Sequence, residues 1–156
     1  MGRALVVAVL VLGLAACGSG VQPRPEVAGD GRGAVFDSAG FCDALARVAA
    51  ADRRAGQDAD DLEGWDELQP VLVARSRDAA ALYEEARAVA PRELRGPLED
   101  VAEVTLRLAD EAAAASSRRD FERRGAAVDG FAEAQQAVVA LNAHARRQCG
   151  FTLVDN

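Results

Sequence analysis

The chain has 156 residues, half of them apolar but only 4% aromatic, with 25 acidic side chains against 18 basic ones and a net charge of −7. One domain is expected at that length, and an apolar complement rich in Ala suits closely packed helices better than a sheet. The acidic balance argues against general nucleic-acid binding, which needs a basic stripe, and against electrostatic docking on anionic lipid.

The N-terminus carries one charge, Arg3, followed by an apolar run from Ala4 to Leu14 that only Gly13 interrupts. That run is shorter than the roughly 20 residues needed to cross a bilayer. Small residues Ala15 and Ala16 precede Cys17, and Gly18-Ser19-Gly20 follows it. The layout is that of a secretory signal, and Leu14-Ala15-Ala16-Cys17 resembles a bacterial lipobox. The resemblance implies that residues 1–16 are removed, that the Cys17 sulfur receives a diacylglycerol group, and that the domain is held on the extracytoplasmic face of the cell membrane. A single acyl chain binds only marginally, whereas two anchor stably, so the diacylglycerol suffices. Loss of Arg3 leaves 17 Arg against 25 acids, and the mature surface becomes slightly more acidic.

Residues 17–35 read as lipidated cysteine and flexible linker. Gly, Pro and charges dominate, and Val21 and Val27 are the large apolar residues between Gly18 and Ala34. Such a segment buries too little surface to offset its ordering entropy. Its end-to-end distance is on the order of 25 Å, which places the domain, residues 36–156, just off the membrane.

Within the domain, Asp37 or Ser38 can cap a first helix. Phe41, Leu45 and Val48 recur at helical spacing, and the helix is expected to run to about Arg54, before Gly56. Residues 56–66 read as an acidic connection. A second helix is expected from Trp65 to Val89, with Pro70 harmless in its first turn and an apolar stripe through Leu68, Leu72, Ala79, Leu82, Ala86 and Val89. Arg75 lies in that stripe, where a charge costs free energy unless its head escapes or finds a partner; it is a candidate buried anion contact.

Pro91 closes the second helix, and Pro97 suggests that residues 91–96 form a separate turn. The third stripe is Leu94, Leu98, Val101, Thr105, Leu108 and Ala112. Arg118 to Arg124 can form a short polar helix centred on Phe121. A last helix is expected from Ala126 to Arg147, through Phe131, Ala134, Val138, Leu141 and Ala145, with Gly150 placed as its C-terminal cap. Four amphipathic segments joined by short connections imply an up-down-up-down four-helix bundle.

Phe41-Cys42, Ala90-Pro91-Arg92-Glu93-Leu94 and Cys149-Gly150-Phe151 resemble the corresponding segments of small actinobacterial helical lipoproteins over roughly residues 36–153. The all-Arg usage is in keeping with a GC-rich genome. The resemblance implies a helical fold and names no activity.

With Cys17 lipidated, two cysteines remain, an even number for an oxidising compartment. Cys42 opens the first helix and Cys149 closes the last. In an up-down-up-down order these ends lie side by side, so a Cys42–Cys149 disulfide is expected.

Catalytic and metal motifs are missing from the sequence. His144 is the lone histidine, no second imidazole or free thiolate completes a zinc set, and no phosphate loop, nucleophile elbow or Cys-x-x-Cys pair occurs. The acidic run from Asp58 fails as a calcium loop because Leu62 and Glu63 stand where an oxygen ligand and Gly belong. No enzyme activity, cofactor or metal is expected. The remaining candidate follows from topology: the first and third connections share one end, bringing acids and Trp65 near Arg118, Arg119, Arg123, Arg124 and Phe121. Trp, Phe and Arg are common interface anchors, and Trp65, Arg119 and Phe121 are the candidate partner contacts. The function expected is binding to another envelope protein; the alternative is a small-molecule or lipid carrier with a cavity between helices.

Overall fold

The computed structural model describes residues 37–60, 62 and 64–154; the expected signal, the lipidation of Cys17 and the linker lie outside them. The regular structure among the described residues is helical throughout: α1 (Ser38–Asp60), α2 (Trp65–Val89), α3 (Arg92–Ala114), α4 (Arg118–Gly125) and α5 (Phe131–His144), the last continuing into a π-helical turn, Ala145–Cys149. α2 packs on both α1 and α3, α3 carries α4 and α5, and the π-helical turn returns to α1.

Local chemistry sets the ends. Asp37 caps α1, its Oδ1 accepting from the Gly40 N–H at 3.0 Å and its carbonyl from the Phe41 N–H at 3.1 Å. α2 spans the residues its periodicity predicts. α3 runs unbroken from Arg92 through Pro97, so the separate turn expected over residues 91–96 does not form. Proline removes a single ladder bond, to the carbonyl of residue 93, and Glu93 is exposed; so close to the helix start the ladder is only beginning. α1 likewise passes Gly56 and reaches Asp60 rather than stopping near Arg54. One glycine costs about 1 kcal/mol against Ala, and the helix formers around it, Arg53, Arg54, Ala55 and Gln57, carry the helix across.

The last helix starts five residues later than its apolar period suggests. Gly125 ends α4, buried so close to α3 that an added Cβ would meet a Leu108 methyl at 3.2 Å. Gly130, at φ 81°, then turns the chain into α5. Between them Val128 folds back onto the core, and the Asp129 carbonyl accepts from Arg107 Nη1 at 2.8 Å. At the other end Gly150, at φ 77°, is the expected left-handed cap.

The main core lies between α1, α2, α3 and α5, and its largest fully buried members are Phe41, Leu45, Leu98, Leu141, Val48 and Val101. α2 touches neighbours on two sides, so its buried face is wide and rotated from the predicted stripe: Ala80, Tyr83, Ala86 and Ala90 are buried while Val89 is exposed. Arg75 is exposed as well, which removes it as a buried anion contact; the rotation that brings Tyr83 inward carries position 75 outward. Three contacts show that α2 and α3 run antiparallel: Gln69 meets Ala112, Arg77 pairs with Asp110 at 3.8 Å, and Arg87 pairs with Glu99 at 3.9 Å.

The Cys42–Cys149 disulfide is formed, with Cα atoms 5.5 Å apart across 107 residues of sequence, inside the range a bridge requires. It ties the start of α1 to the π-helical turn. Beside it His144 meets the edge of Phe41, ring centres 5.5 Å apart, and the Asn142 side chain accepts from the Leu153 N–H at 2.9 Å, holding the C-terminal tail against the core.

Candidate functional site

The end of the molecule opposite the disulfide holds the candidate contacts, and it has a small core of its own. Ala112 and Ala115 from the end of α3 and Phe121 from α4 are buried there, with Trp65, Leu72 and Val73 of α2 packed at the edge. Trp65 stacks on Phe121 with ring centres 6.0 Å apart. The sequence expectation that the two aromatics share one end therefore holds, but their exposure differs from it. Phe121 is only 6% exposed and is turned away from any partner; Trp65 is half-buried and Arg119 is exposed. The reason lies in α4 itself. Phe121 is the one large apolar residue in an eight-residue helix of charged side chains, so its ring is the main apolar surface by which burial holds the helix on the bundle.

Polar contacts complete this end. The last carbonyls of a helix lack partners within it, and α2 supplies them for α3. Gln69 Nε2 donates toward the carbonyls of Ala112, Ala113 and Ala115 at 2.9, 3.1 and 3.0 Å, and Trp65 Nε1 donates to the Ala115 carbonyl at 3.1 Å. Gln69 thus caps α3 from 43 positions earlier in the sequence. Sequence reading missed it, because a single amide in a polar turn carries no periodic signal.

α4 is capped reciprocally. Ser117 Oγ accepts from the Asp120 N–H at 3.1 Å, while Asp120 Oδ2 accepts from the Ser116 N–H at 3.0 Å. That backbone donor, together with Arg123 and Arg124, holds the Asp120 carboxyl down to about 2. Arg123 donates to Asp120 at 2.6 Å, and Arg124 reaches both Asp120 and, at 3.1 Å, Glu111 of α3. The cations of α4 therefore divide into two sets. Arg123 and Arg124 are committed to the fold, while Arg118 and Arg119 have neither a hydrogen bond nor an ion pair among the described residues. The acids expected to face these arginines, Asp58, Asp60, Asp61 and Glu63, have side chains outside the described set; Asp66 is exposed at the start of α2.

Elsewhere, burial and the neighbouring Arg147 lower the pKa of His144, which favours a neutral ring against Phe41. Thr105, a polar member of the buried core, has a hydroxyl with no hydrogen-bond partner among the described residues. Among the described residues no three His, Cys, Asp or Glu side chains gather as a metal site, and no helix is long and apolar enough to cross a membrane. The chain matches no protein-family model, no curated protein and no solved structure.

Proposed function

We propose that this protein is a lipid-anchored, extracytoplasmic helical module that acts by binding another protein of the cell envelope. The observation that carries this reading is the division among the α4 arginines. Folding uses Arg123 and Arg124, and leaves Arg118 and Arg119 without a partner among the described residues, on the short helix whose Phe121 stacks on the half-buried Trp65. Tryptophan and arginine are the residues most enriched at interface hot spots, and the fit is an acidic face on the partner. Phe121, Gln69 and Asp120 belong to the support that holds this surface rigid.

In this reading α1, α2, α3 and α5 form an up-down-up-down bundle, with α4 inserted in the third connection. The antiparallel pairing of α2 with α3 and the bridge from the start of α1 to the π-helical turn support that order. It puts the arginine surface at the end opposite the start of α1, into which the proposed anchor and linker would lead, and leaves it open to a partner protein.

Two measurements test the proposal. Cells fed a labelled fatty acid should incorporate label into the wild-type protein and none into Cys17→Ser, which should also keep its signal and migrate as a larger species. Equal labelling of the variant removes the anchor. Separately, the double variant Arg118→Ser/Arg119→Ser should melt within about 2 °C of wild type, as surface changes do. Its yield of crosslinked partner from host membranes should fall about tenfold, the loss expected for about 1.4 kcal/mol at an interface arginine. An unchanged yield rejects this surface. A small-molecule carrier is the second reading, and the unpartnered Thr105 hydroxyl inside the bundle favours it; native mass spectrometry of protein purified from its host would then show a ligand whose mass shift is lost in Thr105→Val.

A further inference from the structure

α5 differs from the other helices in what it shows to solvent. Of its 14 residues Glu133 alone carries a full charge, and burial favours the neutral form of His144; α3, by contrast, has nine charges in 23 residues. The inner face of α5, Ala134, Ala137, Val138 and Leu141, is buried in the main core. Helical spacing groups Ala132, Gln136, Val139 and Ala140 on the other side, and all four are exposed. A surface helix ordinarily turns charged and polar residues away from the core. This one turns out Val139, 45% exposed at the centre of an uncharged face. The other exposed large apolar residues each stand one turn from acids, Leu106 from Glu103 and Asp110 and Val89 from Glu85.

Charge stands at the two ends of this face and not along it. Glu133 lies in the first turn of α5, and Arg146 and Arg147 lie in the π-helical turn that continues it. All three are exposed and form no hydrogen bond or ion pair among the described residues. Arg147 follows Glu133 by 14 positions, about four turns, so the two fall on one side of the helix. The charges of α3 nearest to α5 border the seam between those helices. Arg107 donates to Glu103 and to the Asp129 carbonyl, and Glu93 is near enough to His144 to favour its charge.

We propose that a second copy of the chain docks on this face, α5 against α5 and antiparallel. The two-fold axis of such a pair passes near Val139 and Ala140 and brings the uncharged residues of the two copies together. It also sets Glu133 of each copy opposite Arg146 and Arg147 of the other, so the ends are complementary twice over. A parallel pair would bring Glu133 level with Glu133 and arginine level with arginine. The net charge of −7 makes two copies repel in most orientations, and this face offers an approach that meets no like charge. A single helix face falls below the roughly 1,200 Å² of a stable complex, so the pair is weak, with a dissociation constant on the order of 10⁻⁴ M. Linkers on the order of 25 Å let both proposed anchors reach one membrane when the paired bundles lie along it, with the α4 surface of each copy at an outer end. The proposal depends on neither the anchor nor the α4 surface.

Analytical ultracentrifugation of the chain from residue 17 onward tests it, with Cys17→Ser so that neither a lipid nor a third thiol drives association. Over about 5 to 500 µM the average mass should climb from that of a monomer toward that of a dimer, with its midpoint near 10⁻⁴ M. Glu133→Arg and Arg147→Glu should each weaken association about tenfold, about 1.4 kcal/mol over the two symmetry-related end contacts. Both positions are exposed, so each variant should melt within about 2 °C of its parent. An equimolar mixture of the two variants should associate more tightly than either alone, because the antiparallel mixed pair again sets opposite charges at both ends. A parent chain that stays monomeric at the highest concentration overturns the proposal. So do single variants that associate like the parent, or a mixture no tighter than its components, since the copies would then meet through another face or in parallel.

Discussion

Removing the Cys42–Cys149 bridge, by reduction or by Ser at both positions, should lower the stability of the domain by about 4 kcal/mol. The bond closes a loop of 107 residues, and a loop of that size limits the unfolded chain by up to about 4.7 kcal/mol in the chain-entropy model. The native side adds little to offset this, since the Cα separation of 5.5 Å is ordinary for a disulfide. A domain of this size should melt about 15 °C lower as a result. The effect is large against the roughly 5–15 kcal/mol that stabilises a typical domain. The remaining interior is the reason the bond matters. Eight of the twenty members of the main core cluster are alanines, and each buries less apolar surface than a leucine or phenylalanine would. Both cysteines are partly exposed, so reductant can reach the bond in the folded state. Denaturant titrations with and without reductant would measure the difference, and a mass gain of about 2 Da on reduction, the two hydrogens a disulfide lacks, would confirm the bond itself. A loss below about 1 kcal/mol would mean that the unfolded chain is not limited by the bridge, as happens where residual structure persists.

That disulfide was legible because it needed only three things from the sequence: an even cysteine count, helices at both cysteines, and an order that brings their ends together. The span of α2 was legible for a similar reason. Pro70 falls near its start, Pro91 stops it just past its end, and its apolar residues recur throughout. Asp37 and Gly150 announced their caps through residue chemistry alone. The second half of α1 did not announce itself, because residues 53–60 carry charge and Gly rather than an apolar stripe, and helix formation there rests on propensity. The start of α5 was misread for the opposite reason: apolar residues at Ala126, Ala127 and Val128 continue the period, while Gly125 and Gly130 impose the turn. No pattern in Ala145–Cys149 marks a π-helical turn.

The candidate site turned on the same kind of detail. Trp65 and Phe121 were rightly brought to one end, but topology alone does not say which way a ring faces. For Phe121 the answer was in the composition of α4, where no other large apolar residue is available to bury. Arg75 shows the converse error. A four-three spacing fits two adjacent stripes on a helix with neighbours on both sides, and Tyr83 decides between them by the area it buries.

Phe121→Ala should cost about 3 kcal/mol and loosen the whole Trp65 end. Phe-to-Ala changes in cores cost about 3–5 kcal/mol, and this site belongs at the lower bound because its neighbours Trp65, Leu72 and Val73 are only partly buried and can settle into the space. The loss has a local component beyond area. Without the ring, α4 keeps its cap, the close approach of Gly125 to Leu108 and the largely solvent-facing Arg124–Glu111 pair at 3.1 Å, and such pairs contribute about 1 kcal/mol or less. The indole of Trp65 then loses its stacking partner, so intrinsic fluorescence, which comes from this single tryptophan, should shift to the red before global unfolding. A double-mutant cycle with Trp65→Ala isolates the ring pair, and a coupling of about 1 kcal/mol is expected for a stacked aromatic contact. Arg119→Ala provides the contrast: it should change stability by less than about 0.5 kcal/mol and leave the fluorescence unchanged while weakening capture of the partner. The two variants thus separate support from contact. If Phe121→Ala cost less than about 1 kcal/mol and still abolished capture, the ring would be a contact that the free protein holds folded inward, and the partner would have to draw it out.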